Sequence, residues 1–188
     1  MKRLKNKAVK EKIKRIHTPL SGKEIKNLKA GAMVFLSGVI YTARDQAHLK
    51  ISRAIKKGEK LPVSLKGQVI YYAGPTPPGK RQIGSCGPTT SGRMDSFTPE
   101  VLGAGVRGLI GKGRRSEKVR QAIKKTGAVY FLAPAGAGAY LSEKVTSSRI
   151  VAFKDLGPEA VYRLEVRDLP LVVGIDSEGK DIYSRLNK

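Results

Sequence analysis

The stretch GSCGPTTSGRMDS, Gly84 to Ser96, sets three glycines, the adjacent hydroxyls of Thr89 and Thr90, Ser91 and a single arginine, Arg93, into a run with almost nothing apolar to bury. Glycine lets a backbone approach a ligand closely, hydroxyls donate and accept, and a guanidinium offers a planar fork that matches a carboxylate bidentately. Such residue types in one loop suit an anion, and the fork suits a carboxylate better than a phosphate. A nucleotide-binding GxxxxGK[ST] loop is imitated twice and fails twice. In GPTPPGK (Gly74 to Lys80) the prolines Pro75, Pro77 and Pro78 remove three backbone donors, and Arg81 sits where a magnesium-binding hydroxyl belongs. In GPTTSGR (Gly87 to Arg93) Met94 occupies that position. Taken in isolation, the second stretch also reads as a Gly-rich surface turn with a solvated arginine.

Strands and helices alternate around the loop and must position it. Ala32 to Ala43 and Gly67 to Gly74 are rich in β-branched and aromatic residues and predict two strands. Between them Asp45 predicts an N-cap, Ala47, Ile51, Ala54 and Ile55 recur at helical spacing, and Gly58 predicts the stop. Arg44 therefore stands where a strand hands over to a helix. Thr98-Pro99-Glu100 reads as a cap with proline at the first helical position, and Val106 to Ile110 as a buried strand. Ser116 opens a helix with Val119, Ala122 and Ile123 on its apolar face, Gly127 closes it, and Ala128 to Ala133 follows as a strand. That is a βαβ unit with Lys112 just past its first strand. RIVAFKDL and AVYRLEVRDLPLVVGID add strands near the C-terminus, no repeat is visible, and the class is α/β.

Composition narrows the function. With 188 residues, 40% of them hydrophobic, the chain can bury the core of one domain. A single cysteine, Cys86, and two histidines far apart provide neither a disulfide framework nor a metal cluster, so metal is expected to be none in this chain. No apolar run reaches the roughly 20 residues of a membrane span, nor is there the apolar core of a secretory signal, and Glu11 with a preference for Lys over Arg speaks against a transit peptide. A cytoplasmic protein without membrane contact is expected. The net charge of +22 raises nucleic-acid binding as the rival from another class. Its distribution weakens that rival: residues 1–30 hold eleven Lys or Arg against two Glu, whereas residues 141–188 hold eight basic and eight acidic residues. No basic stripe is interleaved with exposed aromatics, so specific nucleic-acid binding is not expected, and residues 1–15 read as a basic arm. Residues 16–188 form the domain.

GPTTSGRMDS, with SGVIYTARDQAH upstream and GLIGKGRRSEKV downstream in that order, resembles the β subunit, or C-terminal domain, of the class I iron–sulfur fumarases and the related L-tartrate dehydratases. The similarity runs from about Ile16 to the C-terminus. It implies a swivelling β/β/α domain, a mixed sheet with flanking helices, and reversible hydration of fumarate to L-malate, with L-tartrate dehydration as the alternative; the fumarase reaction belongs to the tricarboxylic acid cycle. It also implies a [4Fe–4S] cluster ligated by a partner α subunit and not by this chain, a hetero-oligomer of the α2β2 kind, and activity only with that partner. Residue by residue, the resemblance makes Arg44, Thr90 and Arg93 substrate-carboxylate ligands, Asp45 and His48 their supports, Thr89 the hydroxyl that takes a proton from the substrate carbon, and Lys112 the nearby catalytic cation. On its own pattern His48 shares a helix face with Ile51 and Ile55 and reads as a packed, hydrogen-bonded residue, and Lys112 reads equally as a solvated lysine. A threonine is a poor base unaided, so cations or donors must favour its alkoxide form.

Overall fold

The computed structural model describes residues 13–79 and 81–185. Strand β1 (Lys14–His17) and a short helix α1 (Gly22–Lys26) lead into β2 (Met33–Thr42), helix α2 (Asp45–Lys57) and β3 (Val69–Tyr71). A long loop with a 3-10 turn at Ser91–Met94 leads to α3 (Thr98–Gly103), β4 (Gly108–Gly111), α4 (Glu117–Thr126) and β5 (Val129–Leu132). Helix α5 (Gly138–Ser142), β6 (Val145–Ala152), a 3-10 turn at Lys154–Glu159 and the 15-residue β7 (Val161–Ile175) complete the elements that carry the sheet. None of the described helices is long and apolar enough to cross a membrane.

The sheet is mixed, and its pairings close on themselves. β2, β3, β4 and β5 are successive parallel neighbours, while β7 runs antiparallel to β5 on one edge and to β2 on the other, so that five strands form a ring. β1 extends it alongside the first half of β2, and β6 alongside the first part of β7. Side chains of successive strand residues point to opposite faces, which divides the core in two. Val69, Tyr71 and Ala73, Ile110, and Val129 and Phe131 enter one cluster with β1, β2 and β7 residues such as Ile16, Leu36 and Leu171. Ile70, Tyr72, Leu109 and Tyr130 enter the other, under the apolar stripes of α2, α3 and α4 (Ala47, Ile51, Val101, Val119 and Ile123). Strands buried on both faces read as continuous apolar runs, which is why VIYYA and GLIG look uninterrupted in sequence.

Several sequence expectations meet their structural counterparts directly. Gly58 and Gly127 close α2 and α4 in the left-handed conformation at φ 66° and 65°, and the Ser116 hydroxyl accepts the Val119 N–H at 3.4 Å as the N-cap of α4. Others shift. Asp45 is not the N-cap of α2 but its first helical residue, with extended Arg44 in the cap position, because the Asp45 carboxylate is turned to two guanidiniums instead. Thr98 likewise begins α3 rather than capping it, since its hydroxyl donates to the Met94 carbonyl at 2.8 Å. The run RIVAFKDL is strand only as far as Ala152, where left-handed Phe153 and the Gly157-Pro158 pair turn the chain into 3-10 structure. Of the basic arm expected over residues 1–15, residues 1–12 lie outside the described residues, and Lys14 and Arg15 are the first residues of β1.

Candidate substrate-carboxylate site

Three segments singled out by sequence meet at one place. β2, β3 and β4 are adjacent and parallel, with Thr42 paired to Tyr71 and Tyr71 to Ile110, so the residues following each strand emerge side by side at the carboxyl ends. In α/β sheets this edge is where ligands bind, because loops there are free of strand hydrogen bonds yet rest on a rigid base. Arg44 and Asp45 follow β2, the Thr89 to Arg93 loop follows β3, and Lys112 follows β4.

The first contact across these segments is ionic. Asp45 accepts from Arg44 Nε at 3.0 Å through one carboxylate oxygen and from Arg93 Nε at 2.9 Å through the other. Both guanidiniums therefore keep their terminal nitrogens in part for other partners; Arg44 Nη2 lies 3.3 Å from Glu159. The second Glu159 oxygen accepts the Gln46 N–H at 2.8 Å and so caps α2 in place of a local side chain. The Arg44 and Asp45 side chains are 25% and 21% exposed and that of Arg93 53%, so the pair of cations sits at a rim reachable by solvent.

The loop itself is docked by its backbone. Thr89 N–H donates to the Tyr72 carbonyl at 2.6 Å, Ser91 N–H donates to the Lys112 carbonyl at 2.9 Å, and Thr90 forms a bridge with Lys112. Thr89 is half-buried and Thr90 exposed. Ser91 is buried, with its Oγ 2.9 Å from the Tyr130 hydroxyl. Gly111 allows this close seating: a Cβ there would lie 2.0 Å from Ser91 Oγ and 2.9 Å from Tyr72 Cδ2. The Lys112 ammonium makes no ion pair among the described residues.

His48 is packed, as its helix face implies, but the expected hydrogen bond is missing. Neither ring nitrogen has a partner among the described residues, and the ring stands edge-on to Tyr72 at 5.2 Å. Burial, and then repulsion by the Arg115 guanidinium, push its pKa down to about 4, so the imidazole is neutral. Its ring bonds to neither the Arg44 guanidinium nor the Asp45 carboxylate and packs instead against Tyr72 and Phe97, while its backbone N–H donates to the Arg44 carbonyl at 2.9 Å. Cys86 is buried, its thiol pushed up by burial to about 12, and its carbonyl accepts from the Tyr71 hydroxyl at 2.6 Å. Among the described residues no group of three or more His, Cys, Asp or Glu is placed to hold a metal ion.

Sequence reasoning passed over Glu159, Asp95, Tyr72, Tyr130 and Arg115, all of which touch these loops. Nothing in a residue's own neighbourhood announces them. Glu159 reaches α2 from 113 positions away, and Arg115 is one more arginine in a basic run.

Comparison with known proteins adds to this geometry. Residues 2–186 match the family model described as Fumarase C-terminus. A protein provisionally named L(+)-tartrate dehydratase subunit beta, from Methanocaldococcus jannaschii, is 42% identical over 176 residues, 90% of each chain. Fumarate hydratase 2 of Leishmania major is 40% identical over 166 residues, 86% of this chain, and the aerobic class I fumarate hydratase of Escherichia coli K12 is 39% identical over 155 residues, 80% of this chain. The chain spans nearly the whole archaeal relative but only 29% and 28% of the two fumarate hydratases. Matched along almost its full length, with its three loops gathered at one sheet edge, the chain belongs to the fumarase C-terminus family.

Proposed function

We propose that this chain is the β subunit of a two-subunit hydro-lyase that interconverts fumarate and L-malate, and that it supplies the clamp for a substrate carboxylate and the proton-transferring hydroxyl. The observation that carries the reading is the Asp45 carboxylate joining Arg44 and Arg93 at the edge where the Thr89–Thr90 backbone docks beside Lys112. Division of the enzyme into subunits is supported by the archaeal relative, whose name includes "subunit beta" and whose length this chain matches.

Dehydration of malate breaks one C–H and one C–O bond and forms the double bond; the proton goes to a base and the hydroxyl departs as hydroxide, and the two together make up the water released once the base gives its proton up. Loss of the proton beside a carboxylate builds an enolate-like dianion, so cations placed beforehand lower the barrier where that charge grows. Arg93, with its Nε fixed by Asp45, and Arg44, with its Nε on Asp45 and Nη2 beside Glu159, present the donors left over to the substrate carboxylate with little rotamer freedom left to lose. Thr89 takes the proton at its Oγ1, held by the backbone bond to Tyr72, and the Lys112 cation favours its alkoxide form. Orientation of the second carboxylate and departure of the hydroxyl fall to the α subunit, which in this reading holds the [4Fe–4S] cluster.

A second substrate, L-tartrate, is favoured by the name of the archaeal relative. Both readings are tested by anaerobic assay of the chain alone, of its partner alone and of the two mixed, with fumarate, L-malate and L-tartrate. Activity that requires both chains is expected, with the higher kcat/KM for L-malate and fumarate. Hydratase activity from this chain alone would overturn the two-subunit reading, and a preference for L-tartrate would select the second substrate.

A further inference from the structure

Arg115 lies in the loop between β4 and α4, and its side chain is wholly excluded from solvent. A guanidinium is strongly disfavoured there unless its donors are met. Nε donates to Asp95 Oδ1 at 2.7 Å, Nη2 to Thr98 Oγ1 at 2.7 Å and Nη1 to the Tyr72 hydroxyl at 3.5 Å. Its carbon lies 5.3 Å from the Tyr72 ring centre and 5.0 Å from that of Tyr130.

Each of those four partners holds a different part of the loop after β3. The Tyr72 carbonyl anchors Thr89, and the Tyr130 hydroxyl meets Ser91. Asp95 N–H closes the 3-10 turn onto Gly92, and its second oxygen accepts the Ser116 N–H at 2.6 Å, tying the turn to the start of α4. Thr98 closes back onto Met94. The side chains of Thr89 and Thr90 make no hydrogen bond among the described residues, so they do not set the loop's place themselves. We propose that Arg115 is the positioning residue of the candidate site, holding the Thr89 to Arg93 loop in register with Lys112 from beneath. The inference rests on the reading of that loop as the hydro-lyase site. Arg115 touches no substrate in this account; it acts through Tyr72, Tyr130, Asp95 and Thr98.

The test uses Arg115→Lys, Asp95→Asn and the double variant, each in complex with the partner subunit. Lysine keeps the charge but loses the fork. Peptide-resolved hydrogen exchange is expected to speed up by about tenfold or more over residues 89–98 while peptides of β4 and β5 keep their protection. kcat is expected to fall by about tenfold to a hundredfold, the scale of a small misplacement of reacting groups, with KM changed by less than about threefold. Because the two single variants share the Arg115–Asp95 link, the loss in the double variant should be less than the sum of theirs, while the Asp95–Ser116 bond is lost only where Asp95 is changed. Unchanged exchange over 89–98 overturns the proposal, as does equal loss of protection throughout the strands, which would make Arg115 a core residue and nothing more. A loosened loop with full kcat in an active wild-type complex also overturns it. Should the wild-type complex show no hydro-lyase activity, the functional reading fails, and the exchange comparison alone decides whether Arg115 positions the loop. Should Arg115→Lys not fold, Asp95→Asn, at the rim of the same pair, carries the same readouts.

Discussion

The Asp45 carboxylate bonds Arg93 at 2.9 Å, joining residues 48 positions apart, while its other oxygen holds Arg44 at 3.0 Å. One acid thus sets the spacing of two cations that arise from different loops. Neutralising it leaves two guanidiniums that repel each other, Arg44 still held by Glu159 at 3.3 Å and Arg93 with no other ion pair among the described residues.

Asp45→Asn should therefore weaken substrate binding more than turnover. KM is expected to rise about tenfold, the equivalent of about 1.4 kcal/mol, with kcat reduced by a smaller factor. The melting temperature should move little, because ion pairs at a rim reachable by solvent contribute only modestly to stability. Steady-state kinetics on the reconstituted enzyme together with a thermal scan checks both. An unchanged KM would show that the bridge has no part in holding substrate.

Thr89 and Arg93 are expected to separate chemistry from binding. Thr89→Ala should lower kcat by about 10² or more with little change in KM, and Thr89→Ser should keep much of the activity, since the hydroxyl survives. Arg93→Lys keeps charge without the fork, so KM should rise, and kcat should fall as well if the fork tightens on the developing enolate. Cluster content measured in parallel separates a lost base from a lost cluster. Near-full kcat in Thr89→Ala with an intact cluster would move the base elsewhere.

His48 makes stability sensitive to acid. Its folded pKa, about 4, lies below the unfolded 6.5, so between these values the unfolded chain binds a proton that the folded chain refuses. The histidine contribution is therefore constant above about pH 6.5 and erodes as pH falls toward 4, by roughly 3 kcal/mol in all. Burial and then Arg115 oppose the proton, while the Arg44 backbone and the Asp45 charge favour it by less. His48→Leu, of similar volume, should be no less stable at pH 7, where it removes two unpartnered nitrogens, and should gain on the wild type as pH is lowered. Urea unfolding of both proteins between pH 7 and 4.5 measures the difference, in which shared carboxylate effects cancel. Parallel curves would mean that His48 titrates normally.

Gly111→Ala tests how closely the loop is seated. The new methyl would meet Ser91 Oγ at 2.0 Å and the Tyr72 ring at 2.9 Å, and overpacking of this kind costs about 1–3 kcal/mol. Adding Ser91→Gly should restore part of that loss in a denaturant titration, and no recovery would place the strain on Tyr72 alone.

Local order was legible in the sequence because its causes are local. Gly58 and Gly127 end their helices through freedom at positive φ, Ser116 begins one through its own hydroxyl, and strands β3 to β5 betray themselves as apolar runs buried on both faces. The residue types of the Thr89 to Arg93 loop, a cation and hydroxyls, were visible in the same way, and their use on a carboxylate belongs to the proposed function.

Partnership across the fold was not legible. That β7 closes the ring by pairing Val172 with Met33 and Val173 with Phe131 depends on which strand edges meet, and alternation of apolar residues specifies a face but never a neighbour. The same holds for single side chains. Asp45 reads locally as a helix cap, yet two guanidiniums offer it stronger, charge-assisted bonds than its own helix, and Glu159 is free to cap α2 in its stead. Arg115 reads as one more surface cation, and only the tertiary structure, by surrounding it with a carboxylate, a hydroxyl and two aromatic rings, makes its burial tolerable.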